Sequence, residues 1–310
     1  MSAIRLRGRR ERPKRVTEAP GGGLVLASDW NRPSVKWGLG ATQALLLVVL
    51  VIIGLGPILW LVKAAITPTQ DTLINPMGVF PHGTALSNIS NAWTQVDIGL
   101  YLKNTIVLAL GSWASQLIVC TTGAYALSVL RPKWGSVIMA LLLTTLFVPP
   151  VVLLVPLYLE IVHPPIFGGT LENNYLAIWL PAGASAFNVV LMKRFFDNLP
   201  REIFEAARID GCGPVRLFVS IVLPMSKPIL GVVSLFAVLA SWKDFLWPLL
   251  VLSNPSEQPI SVRLPTIQGE TDLGVFLAAM LIACIVPIVG FLVFQRTILR
   301  GTGLSGALKG

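Results

Sequence analysis

The chain has 310 residues, of which 54% are hydrophobic and 13% charged, with a mean hydropathy of +0.73. Soluble domains of this size rarely join so little charge to so much apolar content. Apolar runs approaching the ~20 residues that cross ~30 Å of hydrocarbon recur along it, which excludes an ordinary soluble enzyme and indicates an integral membrane protein. The net charge of +9 is no argument for nucleic acid as a partner. It is concentrated before the first apolar run, where Arg5, Arg7, Arg9, Arg10, Arg12, Lys14, Arg15, Arg32 and Lys36 face only Glu11, Glu18 and Asp29.

Residues 1–36 read as a basic cytoplasmic tail touching anionic lipid. The first span covers 37–66 and contains Ala44–Ile53. Its basic flank resembles a secretory signal, but the apolar run is far longer than a signal's core, so it is expected to stay uncleaved. A polar extracytoplasmic loop follows at 67–99, with Asp71, His82 and Asp97. A core of five further spans occupies 100–294, at about Leu100–Leu130, Trp134–Leu159, Asn174–Leu191, Pro228–Leu252 and Leu273–Phe294, and a cytoplasmic tail covers 295–310. Six spans put both termini on one side. Lysines and arginines gather in the N-terminal tail, the 131–133 turn, the 193–227 loop and the C-terminal tail. The opposite regions hold only Lys63, Lys103 and Arg263 among seven acids. This asymmetry predicts that both termini and the 193–227 loop are cytoplasmic.

Several spans carry proline: Pro149, Pro150, Pro156, Pro181, Pro248 and Pro287. Each removes a helix donor and frees a carbonyl that a neighbour must satisfy, which suits helices lining a pathway. Cys120, Cys212 and Cys284 show no metal or redox spacing, and no disulfide is expected. His82 and His163 lack carboxylate or cysteine partners at ligand spacing, so no metal is expected. No Gly-x-x-x-x-Gly-Lys-[Ser/Thr] loop and no Gly-x-Ser-x-Gly elbow occurs. By itself the chain is not expected to be an enzyme.

The 193–227 loop contains a polar island. Pro200 suits a helix start and Glu202 favours the positive end of the dipole. Gly211 is the natural stop, since helices commonly end on a residue at positive φ. Winding the stretch at 3.6 residues per turn gathers Ile203, Phe204, Ala206 and Ala207 on one side, opposite Arg201, Glu205 and Arg208. A helix of about ten residues is marginal alone, so its apolar side needs a surface.

The order Glu205-Ala206-Ala207, Gly211, Ile221, Leu223 and Pro224 resembles the EAA signature loop of ABC importer permease subunits, in the carbohydrate-uptake branch and similar to its smaller maltose-type subunit. Supporting stretches are Val155–Tyr158, Arg194–Asp197, Ser241–Pro248 and Gly303–Gly310. The resemblance implies an all-α integral membrane fold, the six-helix type I ABC importer transmembrane domain with a cytoplasmic coupling helix, in the bacterial inner membrane. It implies a second permease subunit, two ATP-binding subunits that hold ATP and Mg, and an extracytoplasmic sugar-binding protein or lipoprotein. This chain would bind no cofactor. Ile203, Phe204, Glu205, Ala206, Ala207, Arg208, Asp210 and Gly211 would couple it to an ATP-binding subunit. Ile221, Leu223 and Pro224 would end the signature loop. The competing reading is an ATP-independent six-span channel or secondary carrier.

Lys243 and Asp244 are the one charge cluster expected inside apolar sequence, a candidate for pathway gating or for packing through a self-neutralising or cross-helix pair. Trp242, Trp247, Asn104 and Asn188 are weaker candidates for the same roles.

Overall fold

The computed structural model describes residues 33–301 apart from Val79, Pro81 and Phe167. Most of the basic N-terminal tail, and the C-terminal Gly303–Gly310, lie outside the described residues. Among the described residues every regular element is helical. The chain divides into two units at Pro57, the first holding most of α1 (Pro33–Ala65) and the second everything after it.

In the second unit the central element is α4 (Ile98–Tyr125), extended by a wider turn at Ala126–Leu130 and stopped by Arg131 in the left-handed region at φ 51°. At 1.5 Å per residue, Tyr101 and Tyr125 stand about 36 Å apart, enough to cross a membrane. Ile98, Tyr101 and Leu102 at its start join a cluster with α14 (Ile260–Ile267) and α15 (Leu273–Gly301). Cys120, Ala124 and Tyr125 at its end join one with α8 (Ala186–Asp197) and α12 (Lys227–Lys243). Between them α4 packs closely on α7 (Leu176–Gly183), where a Cβ at Gly111 would overlap the Trp179 ring. The expected 67–99 loop holds α2 (Thr69–Ile74) and α3 (Ser87–Thr94). The expected loop at 253–272 contains α14, whose Ile260, Val262 and Ile267 are buried.

Among the described residues three helices are individually long and apolar enough to cross a membrane; bent pairs raise the number to six. The third expected span breaks into α5 (Gly135–Thr145) and a second piece, Pro150–Val162, that contains α6 (Leu154–Val162); the two bend by 104°. Pro149 and Pro150 remove two donors there, and Pro149, which precedes a proline, is extended at ψ 129°. The fourth expected span is α7 and α8, bent by 43°. The fifth begins after an 81° bend between Pro214–Met225 and α12. It ends at Lys243, with α13 (Leu246–Val251) a separate helix.

These breaks free carbonyls, and specific donors take them up. Pro181 cannot donate to Ala177 four residues earlier, and the Trp247 Nε1–H donates to that oxygen at 3.0 Å. At the break between α12 and α13, the backbone oxygen of Asp244 accepts from Ser261 Oγ at 2.6 Å. At the α7–α8 bend, Gln116 Nε2 donates to Ala182 O at 3.0 Å, and Cys120 Sγ lies 3.8 and 3.7 Å from Gly183 O and Ser185 O. Trp247→Phe should therefore lower the thermal stability of the solubilised chain by about 1 kcal/mol. The same change should cost little beside Pro181→Ala, which returns an N–H to Ala177; a double-mutant cycle by thermal unfolding checks this.

The polar segment after α1 is closed at its neck by Ala85 N–H donating to Ile66 O at 2.7 Å. Across its waist the backbone N–H of His82 donates to Asp71 Oδ2 at 3.0 Å, and His82 Nδ1 lies 3.0 Å from Oδ1. The backbone bond from His82, aided by its ring, holds the Asp71 carboxyl below the usual carboxylate range. A depressed folded value stabilises the lobe above the unfolded pKa near ~3.9 and loses that contribution as pH falls through the folded value. Hydrogen-exchange protection at the His82 amide should thus be full above pH ~4 and decline in more acid buffer, and Asp71→Asn should abolish that pH dependence.

Candidate functional site

The polar island forms α9 (Arg201–Ile209), preceded by extended Pro200 at φ −57°, ψ 125°. Proline thus sits just before the first helical residue rather than within the first turn. The C-terminal end follows the glycine stop. Gly211 adopts φ 73°, its N–H donates to Arg208 O at 3.0 Å, and Cys212 N–H donates to Ala207 O at 2.9 Å. This pair of bonds around a left-handed glycine is the Schellman closure, and it reverses the chain sharply.

The helix is seated on the chain's own core. Phe204 packs against the cluster of Tyr125, Met192, Phe196, Val222 and Ile229, and Ala207 is 7% exposed. Ile203, Phe204, Ala206 and Ala207 were expected to form one apolar face for a partner. Ala207 is instead buried, and Phe204, half-buried, packs against the cluster built by the ends of α4 and α8. What remains for a partner is half-buried Ile203, exposed Ala206 and Ile209, which is 86% exposed. Glu205, Arg208 and Asp210 are exposed as well.

A groove of about 200 Å³ runs along the helix, lined among others by Ser128, Arg131, Asp197, Arg201, Glu205 and Arg208. Asp197 is already engaged, accepting from Ser128 Oγ and from Lys193 Nζ, each at 2.7 Å. Arg131 Nε donates to Ser128 O at 2.8 Å, fixing the turn after α4 to the same corner.

Beyond Gly211, Tyr125 Oη donates to Pro214 O at 2.8 Å and its ring lies 4.9 Å from that of Phe218. Pro224 has no N–H for Ser220 O. Just before it the helix loosens into a wider turn at Phe218–Val222, with Leu223 N–H reaching Phe218 O. Ile221 and Leu223 are half-buried and Pro224 exposed. The signature residues therefore occupy one continuous track from α9 to the root of α12.

The other candidates separate. Asn104 is buried and donates to Ser256 O at 2.8 Å and Gln258 O at 3.1 Å, so it fastens a loop. Trp247 is spent on Ala177 and Trp242 packs on the cluster around Tyr101. Asn188 is buried in the first turn of α8, whose N-cap is Ser185. Lys243 and Asp244 form no ion pair with each other or with any other described residue, so the self-neutralising alternative is not seen, and the chain turns extended at Asp244. They line a cavity of about 640 Å³ with Gln116, Pro181, Ser241 and Trp247.

A model of the family described as binding-protein-dependent transport system inner membrane component matches residues 118–301, more than half of the chain. The chain belongs to this permease family. The permease is 30% identical over 266 residues, 84% of its length and 91% of the relative's, to the sulfoquinovosyl glycerol transport system permease protein SmoH of Agrobacterium fabrum. It is 31% identical over 274 residues, 85% and 96% of the two chains, to the sn-glycerol-3-phosphate transport system permease protein UgpE of Yersinia pestis. To the melibiose/raffinose/stachyose import permease protein MelC of Bacillus subtilis it is 30% identical over 236 residues, 75% and 84% of the two chains. A chain from the crystal structure of a bacterial ABC transporter involved in the import of the acidic polysaccharide alginate superposes with a TM-score of 0.73 at 21% identity, covering 89% of the permease and 99% of that chain. The permease is thus a multi-pass, non-catalytic membrane component with the all-α type I importer fold.

Sequence reasoning missed Gln116 and Cys120, which stand one turn apart on α4 and serve the α7–α8 break. Polar residues four apart in an apolar span were the available signal. In the permease, Gly211→Val should destabilise the Schellman end by about 1–2 kcal/mol, the cost of a branched residue in the left-handed region. Proteolysis between residues 209 and 214 in the solubilised chain checks it, and faster cleavage is expected.

Proposed function

We propose that this chain is one permease subunit of an ATP-driven sugar importer and that α9 is its coupling helix. The supporting observation is mechanical. Phe204 and Ala207 tie α9 to the core that joins α4, α8 and α12, while the Schellman turn and the Tyr125–Pro214 bond fix its far end. A helix held at both ends, with Ala206 and Ile209 uncovered, passes a push on that surface into three membrane helices as a rigid-body shift. Closure of a separate ATP-binding subunit, holding ATP and Mg, supplies the push; the chain transmits a preference between two states that it does not itself generate.

In this reading both termini and α9 are cytoplasmic, as the distribution of basic residues supports. A second permease subunit completes the pathway, two ATP-binding subunits drive it, and an extracytoplasmic binding protein delivers the substrate. The names of the relatives, which span a sulfoquinovosyl glycerol, oligosaccharides of the raffinose series and a glycerol phosphate, support a carbohydrate or related polyol. The cavity beside Lys243, Asp244 and Ser241 is where this chain would meet it.

Glu205→Lys reverses a charge on the exposed side of α9 without touching its buried contacts. In the reconstituted complex, binding-protein-stimulated ATP hydrolysis should fall about tenfold, a loss of ~1.4 kcal/mol, with membrane insertion unchanged. Full stimulated hydrolysis in that variant would remove the coupling role. Uptake by the chain without ATP-binding subunits would point to an autonomous carrier.

A further inference from the structure

The lobe after α1 carries an exposed apolar tip. Ile74, Met77 and Phe80 are 83%, 87% and 80% exposed, and Leu73 is exposed beside them. No charged side chain interrupts Leu73–Gly78. The charged side chains of the lobe lie further back, at the Asp71–His82 waist, and Asn75 is the one polar side chain in the tip.

The direction of the tip is set by two bonds. The Trp60 indole N–H donates to Pro76 O at 2.7 Å, and Lys63 Nζ donates to Asn75 O at 3.4 Å. Trp60 stands five residues before the end of α1, about 7.5 Å back along the helix axis. Helical side chains lean toward the N-terminus, which here is further into the span. The lobe leaves α1 at Ile66, turns over and returns beside the last turns of the span. Tryptophan and lysine near the end of an apolar run mark the membrane–water boundary. The tip is therefore held level with that boundary, in line with the exposed Leu59 and Trp60 surface of α1.

We propose that Leu73, Ile74, Met77 and Phe80 form an interfacial anchor, seated among the headgroups and upper acyl chains of the leaflet at which α1 ends. The partner is phospholipid. A soluble protein approaches from the water, where it meets the neck and the His82 side of the lobe, whereas the tip is turned back toward the hydrocarbon. Burial of four large apolar side chains in the interface fixes the height of the lobe and the exit of α1.

The test places a benzophenone amino acid singly at Met77, at Thr84 on the neck and at Leu59 within the span. The full chain, with the subunits that co-purify with it, is reconstituted in phosphatidylcholine–phosphatidylglycerol vesicles and irradiated. Adducts are identified by mass spectrometry. The anchor predicts a phospholipid adduct at Met77 at a yield comparable with Leu59, and none at Thr84. A yield at Met77 as low as at Thr84, or an adduct at Met77 to a binding protein or a second subunit in place of lipid, overturns it. If substitution at Met77 prevents assembly, the same reading at Phe80 decides, with the same outcomes.

Discussion

In hydrocarbon a backbone carbonyl freed by proline has no water to turn to, and the protein must supply its donor. This chain meets that demand with side chains from distant parts of the sequence. Pro181 frees Ala177 O, which Trp247 takes; the end of α12 frees Asp244 O, which Ser261 takes. Gln116 and Cys120 of α4 serve the bend between α7 and α8. Each donor ties a broken helix to another element, so the breaks that make the pathway helices irregular also hold them in place. Two polar residues that looked like pathway groups are likewise spent on backbone carbonyls, Trp247 on Ala177 and Asn104 on the loop at Ser256 and Gln258.

The same economy explains where force can enter. The last turns of α4 and α8 and the first turns of α12 converge on Tyr125, Phe196 and Val233, and Phe204 of α9 packs against that corner. In the proposed coupling, the close-packed contacts of Phe204 and Ala207 are what would pass a displacement of α9 to its neighbours. In that coupling α9 and this corner move as one body, and the bends near Ser226 and Ala184 are where the rest of the spans would rearrange.

The sequence made α9 legible almost to the residue, since a proline start, a dipole-matched Glu202 and a glycine stop are local signals. It also showed which side of the helix is apolar. It could not show what covers that side, because a helical period carries no information about the neighbour; Phe204 and Ala207 proved to face inward. The spans were legible as apolar runs but their continuity was not. A proline inside a membrane helix is compatible with a kink or a break, and the outcome depends on a donor far away, such as Trp247 for Pro181. The charged pair at Lys243 and Asp244 was visible as an anomaly, yet neighbours in sequence point apart once the chain turns extended between them.

The measurement that bears most directly on coupling through α9 compares two positions on that helix. A benzophenone amino acid at Ile209, and separately at Phe204, is irradiated in the assembled transporter. The account predicts a covalent adduct from Ile209 to an ATP-binding subunit, and only intrachain adducts from Phe204. An ATP-binding-subunit adduct from Phe204 with none from Ile209, or none from either position, would contradict it.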